Sequence, residues 1–64
     1  MFVSNPYFLY NYAAVLQEMK QYTESLEVAL KCRQYWADYD LELIIGENYQ
    51  QLNKPELAEK YYNS

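Results

Sequence analysis

Two stretches decide how this chain reads: NPYFLYNYAAVLQEM, residues 5–19, and DYDLELIIGENYQQL, residues 38–52. Each opens on a residue, Asn5 or Asp38, whose side-chain oxygen can accept from the free N–H groups that begin a helix. Asn5 is followed by Pro6, and a missing N–H does no harm at the first helical position. In the first stretch Leu9, Tyr12, Ala13, Leu16 and Met19 fall at helical spacing on one face. Phe8 and Val15 widen that face, and Tyr7 and Tyr10 carry apolar surface further round. A helix apolar over so much of its circumference is normally covered on more than one side. In the second stretch Leu41, Ile44, Ile45, Tyr49 and Leu52 are expected inward, with Glu42, Glu47, Gln50 and Gln51 facing water. Gly46 lies mid-helix, where it costs about 1 kcal/mol against alanine; its presence anticipates the close approach of another helix.

Set 33 positions apart, the two stretches agree in kind. Asn5 falls on Asp38, Tyr12 on Ile45, Ala13 on Gly46, Leu16 on Tyr49, Gln17 on Gln50 and Met19 on Leu52. Beyond them Ser25 falls on Ala58. Cap matches cap, small matches small, and large apolar matches large apolar, so one helix-turn-helix unit is written twice. The second helix of the first unit runs from about Thr23 to Tyr35, with a small face of Ser25, Ala29 and Cys32 flanked by Leu26 and Leu30. The second helix of the second unit opens at Pro55 and carries Ala58, Tyr61 and Tyr62 inward. Glu27–Lys31 and Glu56–Lys60 are spaced as supporting charge pairs. The expectation is one all-α domain over residues 1–64, built of two antiparallel helical hairpins at about 5–37 and 38–64, the second truncated. Ala13–Ser25 and Gly46–Ala58 should mark the tight crossings.

Composition narrows the function. Apolar residues make up 52% of the 64 and charged residues 22%, the balance of a folded chain. A formal net charge of -4 argues against nucleic acid, whose binding rests on neutralised phosphates, and against anionic membrane surfaces. The apolar runs are far too short to cross a bilayer, and the first residues do not read as a signal peptide. Nine tyrosines supply large rings with polar tips, suited to half-buried helix contacts and binding surfaces.

Little in the sequence supports catalysis. Cys32 is the only thiol, and there is no histidine to activate it, to complete a zinc site or to act as general base. On a helix face of small residues Cys32 reads as packing. Gly46 is the only glycine, so no phosphate loop exists. Asp38 and Asp40 could hold a cation, but capping and dipole compensation account for them. Glu18 and Glu24 read as solvated. The chain is expected to be no enzyme and to need no cofactor or metal.

A two-helix unit of this length resembles the tetratricopeptide repeat, whose period is about 34 residues. In the first unit Tyr12-Ala13, Leu16, Tyr22, Ser25, Ala29 and Cys32 match that pattern; in the second Ile45-Gly46, Tyr49, Leu52, Ala58 and Tyr62 do. Ile45-Gly46 followed by Tyr49 is close to the family's LG-x2-Y segment, and residues 21–25 look like its turn into helix B. Leu9 stands in place of the early tryptophan, Glu42 where a large residue is usual, and Pro55 in place of a tyrosine. No proline precedes Asp38, and the spacing is one residue short, a deletion placed near Trp36 and Ala37. The alternative is an unrelated four-helix bundle or helical hairpin pair.

The resemblance implies an α-α superhelix fragment that binds a protein or peptide on the face lined by helix A of each unit. Those positions are Tyr7, Tyr10, Ala14 and Gln17, then Asp40, Leu43, Glu47, Gln50 and Gln51. The alternative is an ordinary solvated face. The face lacks the lysine and arginine pairs that clamp a peptide's C-terminal carboxylate in some members. The tyrosine-rich texture is also similar to the repeat tails of some Bacteroidota O-antigen ligase or polymerase-like proteins. That resemblance implies an accessory tail of a membrane-bound glycan-assembly protein. The compartment then divides: cytoplasmic by default, periplasmic or membrane-attached as part of such a protein. Short arrays lean on neighbours, so the chain is expected to be part of a longer one and to self-associate, through Phe2, Phe8, Tyr61 or Tyr62.

Overall fold

The computed structural model describes residues 5–62. Four helices follow one another: α1, Pro6–Glu18; α2, Tyr22–Arg33; α3, Tyr39–Gln51; and α4, Pro55–Tyr62. No strand occurs among the described residues, so the fold is all-α. The observed ends lie within two residues of the expected ones, inside the usual fraying of helix termini.

The helix starts follow from their caps. Asn5 Oδ1 accepts from the N–H of Tyr7 at 2.9 Å and of Phe8 at 3.4 Å. Asp38 Oδ1 accepts from the N–H of Leu41 at 2.9 Å. The helix ends are also matched, by a device the sequence did not announce. Lys20 and Asn53, both non-glycine, take the left-handed conformation at φ 64° and 63°. After α1, the Lys20 N–H donates to Gln17 O and the Gln21 N–H to Leu16 O, both at 2.9 Å. After α3, the Asn53 N–H donates to Gln50 O at 3.1 Å and the Lys54 N–H to Tyr49 O at 2.8 Å. Both pairs form the two hydrogen bonds of a Schellman cap, and every member of one lies 33 positions from its counterpart in the other. The period therefore extends to the backbone.

α1 packs on α2 and α3 on α4; α2 joins the two hairpins by packing on α3, and α1 lies along α3. The radius of gyration, 10.8 Å, equals the about 10.7 Å of a compact chain of this length, so the hairpins form one body. Small side chains set the first crossing. Ala13, Ser25, Ala29 and Cys32 are fully buried, and Ser25 Oγ donates to the Ala13 carbonyl oxygen at 2.7 Å. The Cys32 thiol donates to the Pro6 carbonyl oxygen at 3.2 Å. Leu9, Leu41, Ile44 and Ile45 complete the core.

The second crossing differs from expectation. Gly46 and Ala58 are both buried, but the group that closes on Gly46 is the ring of Tyr62, one turn beyond Ala58. A Cβ at position 46 would stand 2.6 Å from Tyr62 Cε1.

Three further expectations are corrected. Tyr12 and Met19, assigned to the inward face of α1, are exposed, because among the described residues no helix covers that side. Glu42, assigned to water, is largely enclosed: Arg33 Nε donates to its Oε2 at 2.8 Å, and its Oε1 has no partner among the described residues. The pairs Glu27–Lys31 and Glu56–Lys60 are not closed; among the described residues Arg33–Glu42 is the one ion pair. The Arg33 guanidinium also lies over the Tyr61 ring at 5.3 Å, and Tyr61 stacks on Tyr49 at 5.7 Å, so one chain of contacts joins α2, α3 and α4.

Candidate functional site

The face formed by α1 and α3 is built on a buried polar relay. Asn48 is fully buried on α3. Its Nδ2 donates to Ser25 Oγ at 2.9 Å, and Ser25 in turn donates to the Ala13 carbonyl oxygen. Gln17 Nε2 lies 3.2 Å from both Asn48 Oδ1 and the Ile44 carbonyl oxygen and donates to them. The relay ties α1, α2 and α3 together and satisfies groups that would be costly to bury alone. Asn48 was not singled out from the sequence. Its signal was its spacing: it stands four residues after Ile44 and seven after Leu41, on a stripe otherwise apolar.

At one end of the face lies a concavity of about 350 Å³, lined by Gln17, Glu18, Tyr22, Glu47, Gln50, Gln51 and Tyr62. Gln17, Glu47, Gln50 and Gln51 are four of the nine expected residues, brought together by the 33-residue offset and the alignment of α1 with α3. Glu18, Tyr22 and Tyr62 were missed. Tyr22 and Tyr62 reach the concavity from helix B of each unit, which a reading confined to helix A leaves out. Burial, and after it the Glu47 carboxylate, hold the Tyr62 phenol above its ordinary pKa. Gln17 is half-buried with its amide donating into the relay, so it fixes the floor of the concavity.

The other end is aromatic and acidic. The Tyr10 and Trp36 rings meet edge to face at 6.0 Å. Burial raises the pKa of the Tyr10 phenol, and the nearby Asp40 and Asp38 carboxylates raise it further. Tyr10 and Ala14 are half-buried against the core, so both are partly structural. Asp40 is exposed and Leu43 half-buried. Tyr7 stands 71% exposed and is drawn into neither end.

Basic charge is kept off α1 and α3, whereas acidic residues occur on all four helices. α1 and α3 carry no lysine or arginine; the basic side chains are Lys31 and Arg33 on α2, Lys60 on α4, and Lys20 and Lys54 in the turns. The carboxylates of Glu18, Asp40 and Glu47 are on exposed residues.

Elsewhere, Cys32 is a buried free thiol whose pKa is raised, first by burial and then by Asp38. That keeps it protonated and a poor nucleophile. No group of three or more His, Cys, Asp or Glu side chains converges among the described residues. Among them, too, no helix is long and apolar enough to cross a membrane. Compared with models of protein families, with curated proteins and with solved structures, the chain matches none.

Proposed function

We propose that this chain is a protein-interaction module of tetratricopeptide type, and that its α1–α3 face takes a peptide or partner helix carrying basic side chains. The observation that carries this reading is the concavity in which Gln17, Glu47, Gln50 and Gln51 converge on an otherwise lysine- and arginine-free face. Glutamine amides can pair with a partner's backbone or polar groups. Exposed carboxylates attract cations and steer their approach. Tyrosine rings at both ends offer apolar contact and a face on which an ammonium or guanidinium group can rest. The matched backbone bonds at a 33-residue offset support the repeat reading.

The test is selection from a random-peptide display library on the immobilised chain. Enriched peptides should be rich in lysine or arginine, bind more weakly as salt rises, and lose affinity about 5-fold or more with Glu47→Gln or Gln50→Ala. Both residues are exposed, so thermal stability should stay within about 0.5 kcal/mol. Tyr10→Ala is not a clean probe, because Tyr10 packs on Trp36 and the core. No enrichment over the bare surface, or peptides indifferent to both substitutions, would sink the proposal.

A further inference from the structure

The buried relay has a direction, and that direction reaches the concavity. It starts at the Ala13 carbonyl oxygen, which can only accept. Ser25 Oγ lies 2.7 Å away and spends its single hydrogen there. What Ser25 turns to Asn48 is therefore a lone pair, and Asn48 meets it with Nδ2 at 2.9 Å. The other end of that amide, Oδ1, can only accept, and so can the Ile44 carbonyl oxygen. Both lie 3.2 Å from Gln17 Nε2. The two amide hydrogens of Gln17 are thus spent inward, one on each. The end left for the concavity that Gln17 lines is Oε1, an acceptor alone. Gln50, its counterpart 33 positions on, and Gln51 are exposed, so their amides can turn either end outward.

We infer that Gln17 makes the concavity selective for an arginine side chain of the partner, its fixed Oε1 accepting from the guanidinium. This rests on the reading that the α1–α3 face takes basic side chains. Gln17 is half-buried at the floor, whereas the Glu18 and Glu47 carboxylates belong to exposed residues, one on each helix. A cation that reaches the floor while facing both helices needs donors on more than one edge. A guanidinium carries five N–H groups in a planar fork, an ammonium three on one atom. Tyr22 and Tyr62 add rings to the lining, on which a guanidinium plane can stack. A guanidinium is also more weakly hydrated than an ammonium, so it gives up less on entering. The fixed oxygen repels a carboxylate or carbonyl in the same place. Of the residues expected to mediate self-association, Tyr61 and Tyr62 have rings engaged within the chain, on Tyr49 and against Gly46, and Phe2 lies outside the described residues. The Tyr62 ring is thereby a held wall of the concavity.

Two blocked amino acids of equal charge, acetyl-arginine amide and acetyl-lysine amide, test it when titrated separately into the full chain and followed by nuclear magnetic resonance. The arginine compound should shift the side-chain amide signals of Gln17, Gln50 and Gln51 and bind at least about 3-fold tighter than the lysine compound, the worth of one further hydrogen bond. Gln17→Met removes the oxygen from an unbranched side chain and should bring arginine down to the level of lysine. Glu47→Gln removes charge without touching the relay and should weaken both compounds alike. Because Gln17→Met also withdraws two donors from the relay, the unsubstituted chain supplies a second reading: the Gln17 Nε2 protons should keep their contacts with Ile44 and Asn48 when arginine saturates the site. Equal affinity for the two compounds overturns the inference and leaves the cationic-partner reading standing, since the peptide selection decides that reading separately. A Gln17 amide that turns over on binding, or an arginine preference that survives in a folded Gln17→Met chain, overturns it in the same way. No shift at the concavity with either compound also overturns it.

Discussion

The two hairpins share a backbone and differ in what they enclose. In the first, Ala13 meets Ser25 and the position one turn on is Ala29; in the second, Gly46 and Ala58 take those places and Ala29 becomes Tyr62. The larger ring is accommodated by the loss of a Cβ opposite it. Leu9, buried in the first hairpin, becomes Glu42 in the second, where Arg33 supplies the charge partner that such burial requires. Val15, half-exposed, becomes Asn48, fully buried and hydrogen-bonded. A repeated period therefore fixes where side chains point, while a helix's neighbours decide which of them are covered. Among the described residues α3 has helices on both sides, and α1 has one side open.

The sharpest way to break this comparison is at Asn48 and Val15. Asn48→Ala should remove the donor to Ser25 Oγ and one of the two acceptors of the Gln17 amide, and open a small cavity, at a cost of about 3 kcal/mol. A chain of this size holds only about 3–10 kcal/mol in all, so the urea midpoint should fall by about a third or more. Val15→Ala, 33 positions earlier on an open face, should shift stability by less than about 0.5 kcal/mol. Similar costs at the two positions would show that the difference in cover is not what separates the hairpins.

Next in size is the exchange between Gly46 and Tyr62. Gly46→Leu should overpack the second crossing and cost about 2 kcal/mol. In a Tyr62→Ala background that cost should fall by about half, because the ring is what the new side chain meets. Additive effects in the double-mutant cycle would place the obstruction elsewhere.

How far the sequence could be read follows from the same contrast. The caps Asn5 and Asp38, the small face Ser25, Ala29 and Cys32, and the core positions Leu41, Ile44 and Ile45 were legible because residue type and spacing state them directly. Tyr12 and Met19 misled because periodicity shows that a face is apolar and not whether another helix lies on it. Glu42 misled in the opposite sense: polar type suggested solvent, and a partner on another helix, Arg33, keeps it inside. Asn48 was passed over, because its bond to Ser25 forms only when α2 lies beside α3. The concavity was half legible. Gln17, Glu47, Gln50 and Gln51 came from one offset on helix A, whereas Tyr22 and Tyr62 come from helix B and enter only once the hairpins are closed. The left-handed turn at Lys20 had no signal, since lysine is an ordinary helix residue.

That turn gives the finest comparison. Lys20 and Asn53 occupy equivalent cap positions with nearly the same φ and the same pair of backbone bonds, so they differ in side chain alone. A Cβ is strained in the left-handed region, and asparagine tolerates it better than lysine does. Glycine removes the strain but makes the unfolded chain more disordered, which offsets part of the gain. Both residues are exposed, so neither substitution removes packing. Lys20→Gly should therefore raise stability by about 0.5 kcal/mol, and Asn53→Gly should change it by less than about 0.3 kcal/mol. Urea midpoints of the two variants, taken with unchanged slopes, decide the matter. Equal gains would mean that lysine bears no more strain than asparagine at this cap, and a loss on Lys20→Gly would mean that the matched backbone turns are not equivalent in energy.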